Sequence, residues 1–226
     1  MYNPRSLKAT EFIDDTEVQA TIAYAAAHAK DKALIQEILQ EARKNRGLNH
    51  RQASVLLACE LEEENAQIFA LAEQMKIDFY GNRIVLFAPL YLSNYCINRC
   101  VYCPYHGQNK QMPRKKLSQG EIAEEVLALQ DMGHKRLAIE AGEDPVHNPI
   151  EYILESINTI YQIKHKHGSI RRVNVNIAAT TVENYRALKQ AAIGTYILFQ
   201  ETYQKDHYES LHPAGPKHDY AYHTEA

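Results

Sequence analysis

The 226-residue sequence has no tryptophan, only 9 glycines and 8 prolines, and no apolar run longer than residues 84–92. The low glycine and proline content excludes collagen-like and low-complexity chains, and a 45% hydrophobic composition excludes a disordered one. The longest apolar run is far shorter than the roughly 20 residues that span a bilayer. We therefore expect a soluble chain of one or two globular domains that does not enter a membrane.

The sequence also lacks a strong excess of positive or negative charge, and it lacks a targeting segment. The chain has 25 Lys and Arg against 28 Asp and Glu, a formal net charge of -3, so it shows no basic surface typical of nucleic-acid binding. The first fifteen residues contain no apolar core of the kind found in signal peptides. We expect a cytoplasmic protein, in which cysteines stay reduced and clustered cysteines indicate metal or redox chemistry.

The chain divides into two regions with different patterns. Residues 1–82 are predicted to form a helical N-terminal region, because apolar residues recur at helical spacing and Asn49 to Gln52 forms a capping box. From residue 83 to 226, strands alternate with helices. The strands are predicted at 84–91, 136–141, 173–177 and 195–199, and the helices between them begin at a capping box of Ser118 with Glu121, at Asn148 as N-cap, and at residue 181.

Strands separated by helices in this order predict right-handed βαβ units and a parallel sheet. A complete eight-unit barrel needs about 250 residues, which is about 31 for each unit. The predicted fold class is therefore α/β, a partial TIM-type (β/α) barrel of about four units preceded by the helical region. A doubly wound open sheet is the alternative, although no glycine-rich phosphate turn follows the first strand.

Three of the four cysteines lie directly after the first predicted strand. Cys96, Cys100 and Cys103 are spaced x3 then x2, so that one loop can wrap three thiolates around a small inorganic core. If that core is a 4Fe-4S cluster, its fourth iron keeps an open site that can chelate a substrate or cofactor. The alternative is a zinc site with His106 as the fourth ligand. The location at the C-terminal end of a barrel strand, where active sites lie, favours the cluster.

This triad, with Tyr102 directly before its last cysteine, resembles the motif of the radical S-adenosylmethionine (radical SAM) superfamily. The segments LYLSNYC, MGHKRLAIEAGEDP, IRRVNVNIAATTVENY, GTYILFQETY and HPAGPKHDY resemble the radical SAM tyrosine lyases of FeFe-hydrogenase H-cluster maturation. The resemblance implies a 4Fe-4S cluster that chelates SAM and cleaves it reductively to a 5′-deoxyadenosyl radical. It also implies that L-tyrosine is cleaved to p-cresol and dehydroglycine, the source of carbon monoxide and cyanide.

The resemblance further implies a set of SAM-binding residues. Gly142 and Glu143 match the element that receives the SAM amino group, where glycine allows close approach and the carboxylate accepts from the ammonium. Gln200 and Glu201 end the fourth strand, where this superfamily contacts the ribose hydroxyls. The alternatives are that Glu143 is a solvated acid in a turn that leads into a helix and that Glu201 is a surface acid.

Two more residues complete the predicted SAM site. Tyr102 is expected to pack under the adenine, and its alternative role is to cover the cluster. Asn176 alternates with apolar neighbours and is expected to face the barrel lumen, where a hydrogen bond without ligand contact is an equally good interpretation. Beyond the cluster ligands, no side chain is expected to act in catalysis.

The resemblance also bears on partners and completeness. It implies L-tyrosine as substrate, a reducing electron donor, and contact with other hydrogenase maturation proteins. No cysteine follows Cys103, so the family's auxiliary-cluster domain and the remaining barrel strands are expected to be absent. We expect this chain alone not to complete turnover. The thiazole-synthesis tyrosine lyase and an inactive, truncated cluster-binding remnant remain alternatives.

Overall fold

The computed structural model describes residues 3, 5–166 and 168–226. The chain forms two compact units, one over residues 14–85 and the other over 86–226 with the described part of 1–13. None of the helices in these described ranges is long and apolar enough to cross a membrane.

The unit over residues 14–85 is helical. Its core contains four fully buried aliphatic side chains, Ile35, Ile38, Leu39 and Val55. The predicted capping box is confirmed, because the Asn49 and Gln52 side chains each accept a hydrogen bond from the other residue's backbone N–H. The helices are α2 (Asp15–Ala27), α3 (Lys32–Ala42), α4 (His50–Leu57) and α5 (Glu62–Tyr80).

The second unit carries the strands. After the short helix α1 (Ala9–Phe12) it contains, in chain order, β1 (Ala88–Ser93), α6 (Gln119–Asp131), β2 (Arg136–Ala141), α7 (Ile150–Gln162), β3 (Lys164–His165), β4 (Gly168–Ser169), β5 (Arg172–Asn176), α8 (Val182–Gln190), β6 (Tyr196–Ile197), α9 (Lys205–Leu211), a 3₁₀ turn (Pro216–His218) and α10 (Tyr220–Glu225).

Four strands of this unit form one parallel sheet in the order β1-β2-β5-β6. The spatial order follows the chain order without reversal, as in a barrel and unlike a doubly wound sheet, whose order reverses at a switch point. Among the described residues, β3 and β4 pair with each other alone, in antiparallel orientation. The predicted α/β fold with a partial barrel is thus confirmed.

The two faces of the sheet differ in chemistry. Leu90, Leu137, Ile139 and Val173 point to one face, where they pack with apolar residues of α6 and α7 in the core of the unit. The alternate positions point to the opposite face, which corresponds to the barrel lumen. That face is polar in part, and it places residues of β1, β2 and β5 beside one another at the carboxyl ends of the strands.

Two local predictions were wrong in detail. The first strand begins at Ala88, not at Ile84, because residues 84–87 pair with no strand and their side chains are 50–79% exposed. The helix α7 has Pro149 as its N-cap, and Asn148 does not cap it. The Asn148 amide instead donates to the carbonyl oxygens of Tyr95 at 3.0 Å and Gly142 at 2.7 Å.

Candidate functional site

A cavity of about 240 Å³ lies at the carboxyl ends of the parallel strands. The three clustered cysteines, Cys96, Cys100 and Cys103, all line it. The cysteines belong to the loop after β1, and the end of β2, the end of β5 and the segment after β6 reach the same cavity. It is also lined by further residues, most of them polar or aromatic, among them Tyr91, Asn98, Tyr102, Tyr105, Glu140, Gly142, Glu143, Asn176, Glu201, Lys217 and His223.

The three thiols are close enough to influence one another. Burial raises the pKa of Cys96 and Cys100 above the ordinary value for a thiol, and the neighbouring cysteine sulfurs raise both further. A positively charged iron centre favours thiolates, so that binding would displace these protons. The chemistry of the donor set therefore fits an iron–sulfur cluster.

The zinc alternative needs His106 beside the three cysteines. His106 instead lines a neighbouring cavity, together with Cys100 but without Cys96 or Cys103. Across the described residues, no three His, Cys, Asp or Glu side chains are arranged to hold a single metal ion. In a 4Fe-4S cluster each thiolate binds its own iron, so the ligands need not converge on one point.

The loop that carries the cysteines is held by hydrogen bonds to its backbone. The Arg114 guanidinium donates to the carbonyls of Asn94, Tyr105, His106 and Asn109, at 2.5 to 3.2 Å. One arginine thereby satisfies four loop acceptors that no strand or helix would pair. The sequence pattern did not single out Arg114, because an arginine in a polar loop is usually solvated.

Gly142 and Glu143 lie against this loop. A side chain at Gly142 would collide with the Tyr95 carbonyl oxygen and the Cys96 Cβ atom, so the close packing requires glycine here. The backbone N–H of Ile97 donates to the Glu143 carbonyl at 2.8 Å, which ties the loop to the end of β2. Burial raises the pKa of Glu143, whose carboxylate accepts from the Asn98 amide at 2.5 Å.

The segment between α9 and the 3₁₀ turn covers the loop from the other side. The backbone N–H of Arg99 donates to the Ala214 carbonyl at 2.9 Å, and that of Lys217 donates to the Asn98 Oδ1 atom at 2.8 Å. Gly215 has a φ of +97°, and any side chain there would strike Asn98. Asn98 therefore links the cysteine loop, this segment and Glu143, although sequence reasoning gave it no role.

Tyr102, Glu201 and Lys217 meet at the edge of the cavity. The Tyr102 hydroxyl lies 2.8 Å from the Glu201 Oε1 atom and 2.9 Å from the His212 Nε2 atom. Lys217 donates to the same hydroxyl at 3.1 Å and forms an ion pair with Glu201 at 3.3 Å. Glu201 has a φ of +67°, a left-handed conformation that non-glycine residues seldom adopt and that is often retained at functional sites.

Glu140 and Asn176 lie side by side on the lumen face, as register partners of β2 and β5. The Asn176 amide donates to the Glu140 Oε2 atom at 2.5 Å. Burial raises the pKa of Glu140 to about 7, while the Asn176 hydrogen bond opposes the shift. The period-two pattern of β5 predicted the direction of Asn176, but nothing in the sequence predicted its partner.

Gln200 is the one predicted SAM residue that does not line the cavity. Its amide oxygen accepts from the Nδ1 atom of His223 at 2.6 Å, and its amide nitrogen donates to Thr224 at 3.2 Å. His223 is 3% exposed and lines the cavity, and burial lowers its pKa to about 4. The structure therefore brings together eight of the nine predicted residues, the three cysteines with Tyr102, Gly142, Glu143, Asn176 and Glu201.

Comparisons with known proteins find one matching family profile and several similar structures. The Radical SAM superfamily profile matches residues 90–226. The crystal structure of HydG, a maturase of the [FeFe]-hydrogenase, superposes with a TM-score of 0.88 at 52% identity, over 95% of this chain and 46% of that one. The X-ray structure of the HydG maturase from Carboxydothermus hydrogenoformans superposes with a TM-score of 0.82 at 40% identity. The match covers 92% of this chain and 48% of that one.

A third relative comes from the curated proteins. The 2-iminoacetate synthase of Escherichia coli strain K12 is 29% identical over 159 residues, which are 70% of this chain and 40% of that protein. The chain thus spans about half the length of the proteins it matches, or less. Because the superfamily profile covers well over half of its residues, including all three clustered cysteines and every strand end at the cavity, this chain belongs to the radical SAM superfamily.

Proposed function

We propose that this chain binds a 4Fe-4S cluster through Cys96, Cys100 and Cys103 and cleaves SAM reductively. The observation that carries the proposal is the convergence of three thiols with the carboxylates of Glu143 and Glu201 in one cavity at the strand ends. When bound, the cluster and SAM supply methionine and a 5′-deoxyadenosyl radical that abstracts hydrogen. The share of the protein is to bind and orient these groups.

Glu143 is the residue best placed to bind the SAM amino group. Its carboxylate is partly buried and, among the described residues, accepts one side-chain hydrogen bond, from Asn98, so that a lone pair remains for an ammonium donor. Gly142 keeps the adjacent wall free of a side chain. The cation of Lys217 lies beside Glu201 and Tyr102, where it holds both in place at the edge of the cavity.

Glu201, Tyr102 and Asn176 are assigned to the nucleoside part of SAM. The Glu201 carboxylate has accepting capacity for a ribose hydroxyl, and Tyr102 is 48% exposed, so that a base can pack against it. Gln200 is assigned an indirect role, because its amide fixes the tautomer of His223, which in turn lines the cavity.

The proposed overall activity is that of a tyrosine lyase in FeFe-hydrogenase maturation, with L-tyrosine, a reductant and other maturation proteins as partners. It is supported by 52% identity to one HydG maturase and 40% to another, against 29% to the 2-iminoacetate synthase. The second candidate is the thiazole-synthesis tyrosine lyase. It is less favoured, because the two structures at 40% identity or more are both HydG maturases.

Anaerobic reconstitution with iron and sulfide tests the first part. We expect about four irons for each wild-type chain, a change in the electron paramagnetic resonance (EPR) spectrum of the reduced cluster when SAM is added, and 5′-deoxyadenosine as product. Replacement of Cys96, Cys100 or Cys103 by alanine is expected to abolish all three. Cys59→Ala is the matched control, because Cys59 belongs to the unit over residues 14–85.

Bound zinc at one atom per chain, with no deoxyadenosine, would contradict the proposal. The tyrosine lyase activity is tested in the same samples by adding L-tyrosine and measuring p-cresol. Deoxyadenosine without p-cresol would confine the function of this chain to SAM cleavage.

A further inference from the structure

Glu140 is a carboxylate in the cavity for which the proposed SAM chemistry has no use. It lies on the lumen face of the central strand β2, between register partners Tyr91 of β1 and Asn176 of β5. Its side chain lines the cavity together with the three cysteines. Since Glu143 follows it by three residues in the direction of the loops, Glu140 lies deeper in the lumen than Glu143, at the level of its register partner Asn176.

The hydrogen-bonding capacity of Glu140 is mostly unused. Among the described residues, its side chain has one hydrogen-bond partner, the Asn176 amide on Oε2, and no lysine, arginine or histidine forms an ion pair with it. An ionised carboxylate offers about four lone-pair sites, and leaving them unpaired in a partly buried place is costly. A ligand that brings a positive donor would remove that cost.

Aromatic side chains stand next to this carboxylate. Tyr91 and Tyr105 both line the cavity, with ring centroids 6.3 Å apart in an edge-on arrangement. Tyr91 lies directly across from Glu140 in the pairing of β1 with β2, on the same face of the sheet. Aromatic faces beside a carboxylate favour a ligand that joins an ammonium group to an aromatic ring.

We propose that Glu140 binds the amino group of the substrate, with Tyr91 and Tyr105 packing against its ring. The site takes aryl-alkyl amines, of which an aromatic amino acid is one. This proposal rests on the proposed function for the identity of the cavity as a substrate site, and it adds the residue that recognises the amine.

Tyramine and 4-ethylphenol form the matched pair of probes, since they share the phenol ring and differ in the ammonium group. Binding to the reconstituted chain in the presence of SAM is measured by calorimetry. We expect the wild type to bind tyramine at least about tenfold more tightly, the effect of one charge-assisted hydrogen bond. Glu140→Gln is expected to abolish the preference, and Glu140→Asp is expected to retain part of it.

Glu124→Gln is the control, because Glu124 is an exposed carboxylate on α6 outside the cavity. It is expected to keep the full preference. Equal binding of the two probes by the wild type, no binding of either, or an unchanged preference in Glu140→Gln would overturn the assignment. The SAM-induced EPR change, measured on the same wild-type sample, reports separately on the proposed function. If SAM causes no EPR change but the preference for tyramine still depends on Glu140, the proposed SAM cleavage is wrong and the amine-binding site stands.

Discussion

Replacing Gly142 with alanine tests how tightly the cysteine loop packs against the end of β2. The new Cβ atom would lie 2.8 Å from the Cβ atom of Cys96 and would also overlap the Tyr95 carbonyl oxygen. Non-bonded carbon atoms prefer about 3.5 to 4.0 Å, so the loop would have to move. Overpacking of this kind costs about 1–3 kcal/mol.

A second loss follows from the same movement. The Tyr95 carbonyl accepts from the Asn148 amide at 3.0 Å, and its displacement would weaken that bond, at about 1 kcal/mol. The expected decrease in the free energy of unfolding is therefore about 2–4 kcal/mol. For a chain of this size, that corresponds to a fall in Tm of about 4 to 16 °C. Since Cys96 moves with the loop, we also expect less bound iron after reconstitution.

Thermal unfolding followed by circular dichroism, together with iron analysis, measures both effects. Gly120→Ala is the control, because Gly120 lies in α6 and its new Cβ atom would meet only the Ser118 hydroxyl, at 3.9 Å. Alanine is favoured over glycine in a helix by about 1 kcal/mol, so that the control is expected to be as stable as the wild type or more so. A Gly142→Ala variant with the Tm and iron content of the wild type would show that the loop has room for a methyl group at this position.

Two further predictions concern residues outside the cavity. Hydrogen bonds from the backbone N–H of Ser118 and then from the Lys115 ammonium lower the pKa of Glu121 from 4.5 to about 2. The ionised carboxylate therefore stabilises the start of α6 above pH 4.5, and this stabilisation is lost as the pH falls toward 2. A pH titration by nuclear magnetic resonance checks the value, and a titration midpoint near 4.5 would contradict it. Ile84→Ser is expected to change the free energy of unfolding by less than about 0.5 kcal/mol, because Ile84 is 79% exposed, whereas Leu90→Ala is expected to cost about 2–5 kcal/mol. Urea unfolding of both variants compares them, and equal losses would place the start of β1 at the earlier residue.

The sequence was sufficient to predict those features whose cause lies in residues close together along the chain. Residues 136–141 form β2 as predicted, and the capping boxes of Asn49 with Gln52 and Ser118 with Glu121 are both present. A cap depends on residues three positions apart, which the sequence displays directly. The start of β1 was misjudged, because apolar residues form a strand only where a neighbouring strand pairs with them, and Ile84 has no such neighbour.

The Asn148 prediction failed for a different reason. The sequence Asn-Pro-Ile-Glu fits an N-cap, yet the asparagine amide serves two carbonyls, one of them 53 residues away at Tyr95. Competition between a local cap and a distant acceptor is settled only when the chain is folded, because a buried carbonyl without a donor costs more than an exposed helix end.

The cysteine triad, the order of strands and helices, and the family resemblance could all be predicted before the fold was known, because each is carried by spacing along the chain. Which side chains share the cavity depended on the tertiary structure. It placed His106 in a neighbouring cavity, turned Gln200 toward His223, and set Glu140 beside Asn176 with lone pairs free. These outcomes depend on parallel strands whose ends meet although they lie tens of residues apart, and sequence spacing does not report distances of that kind.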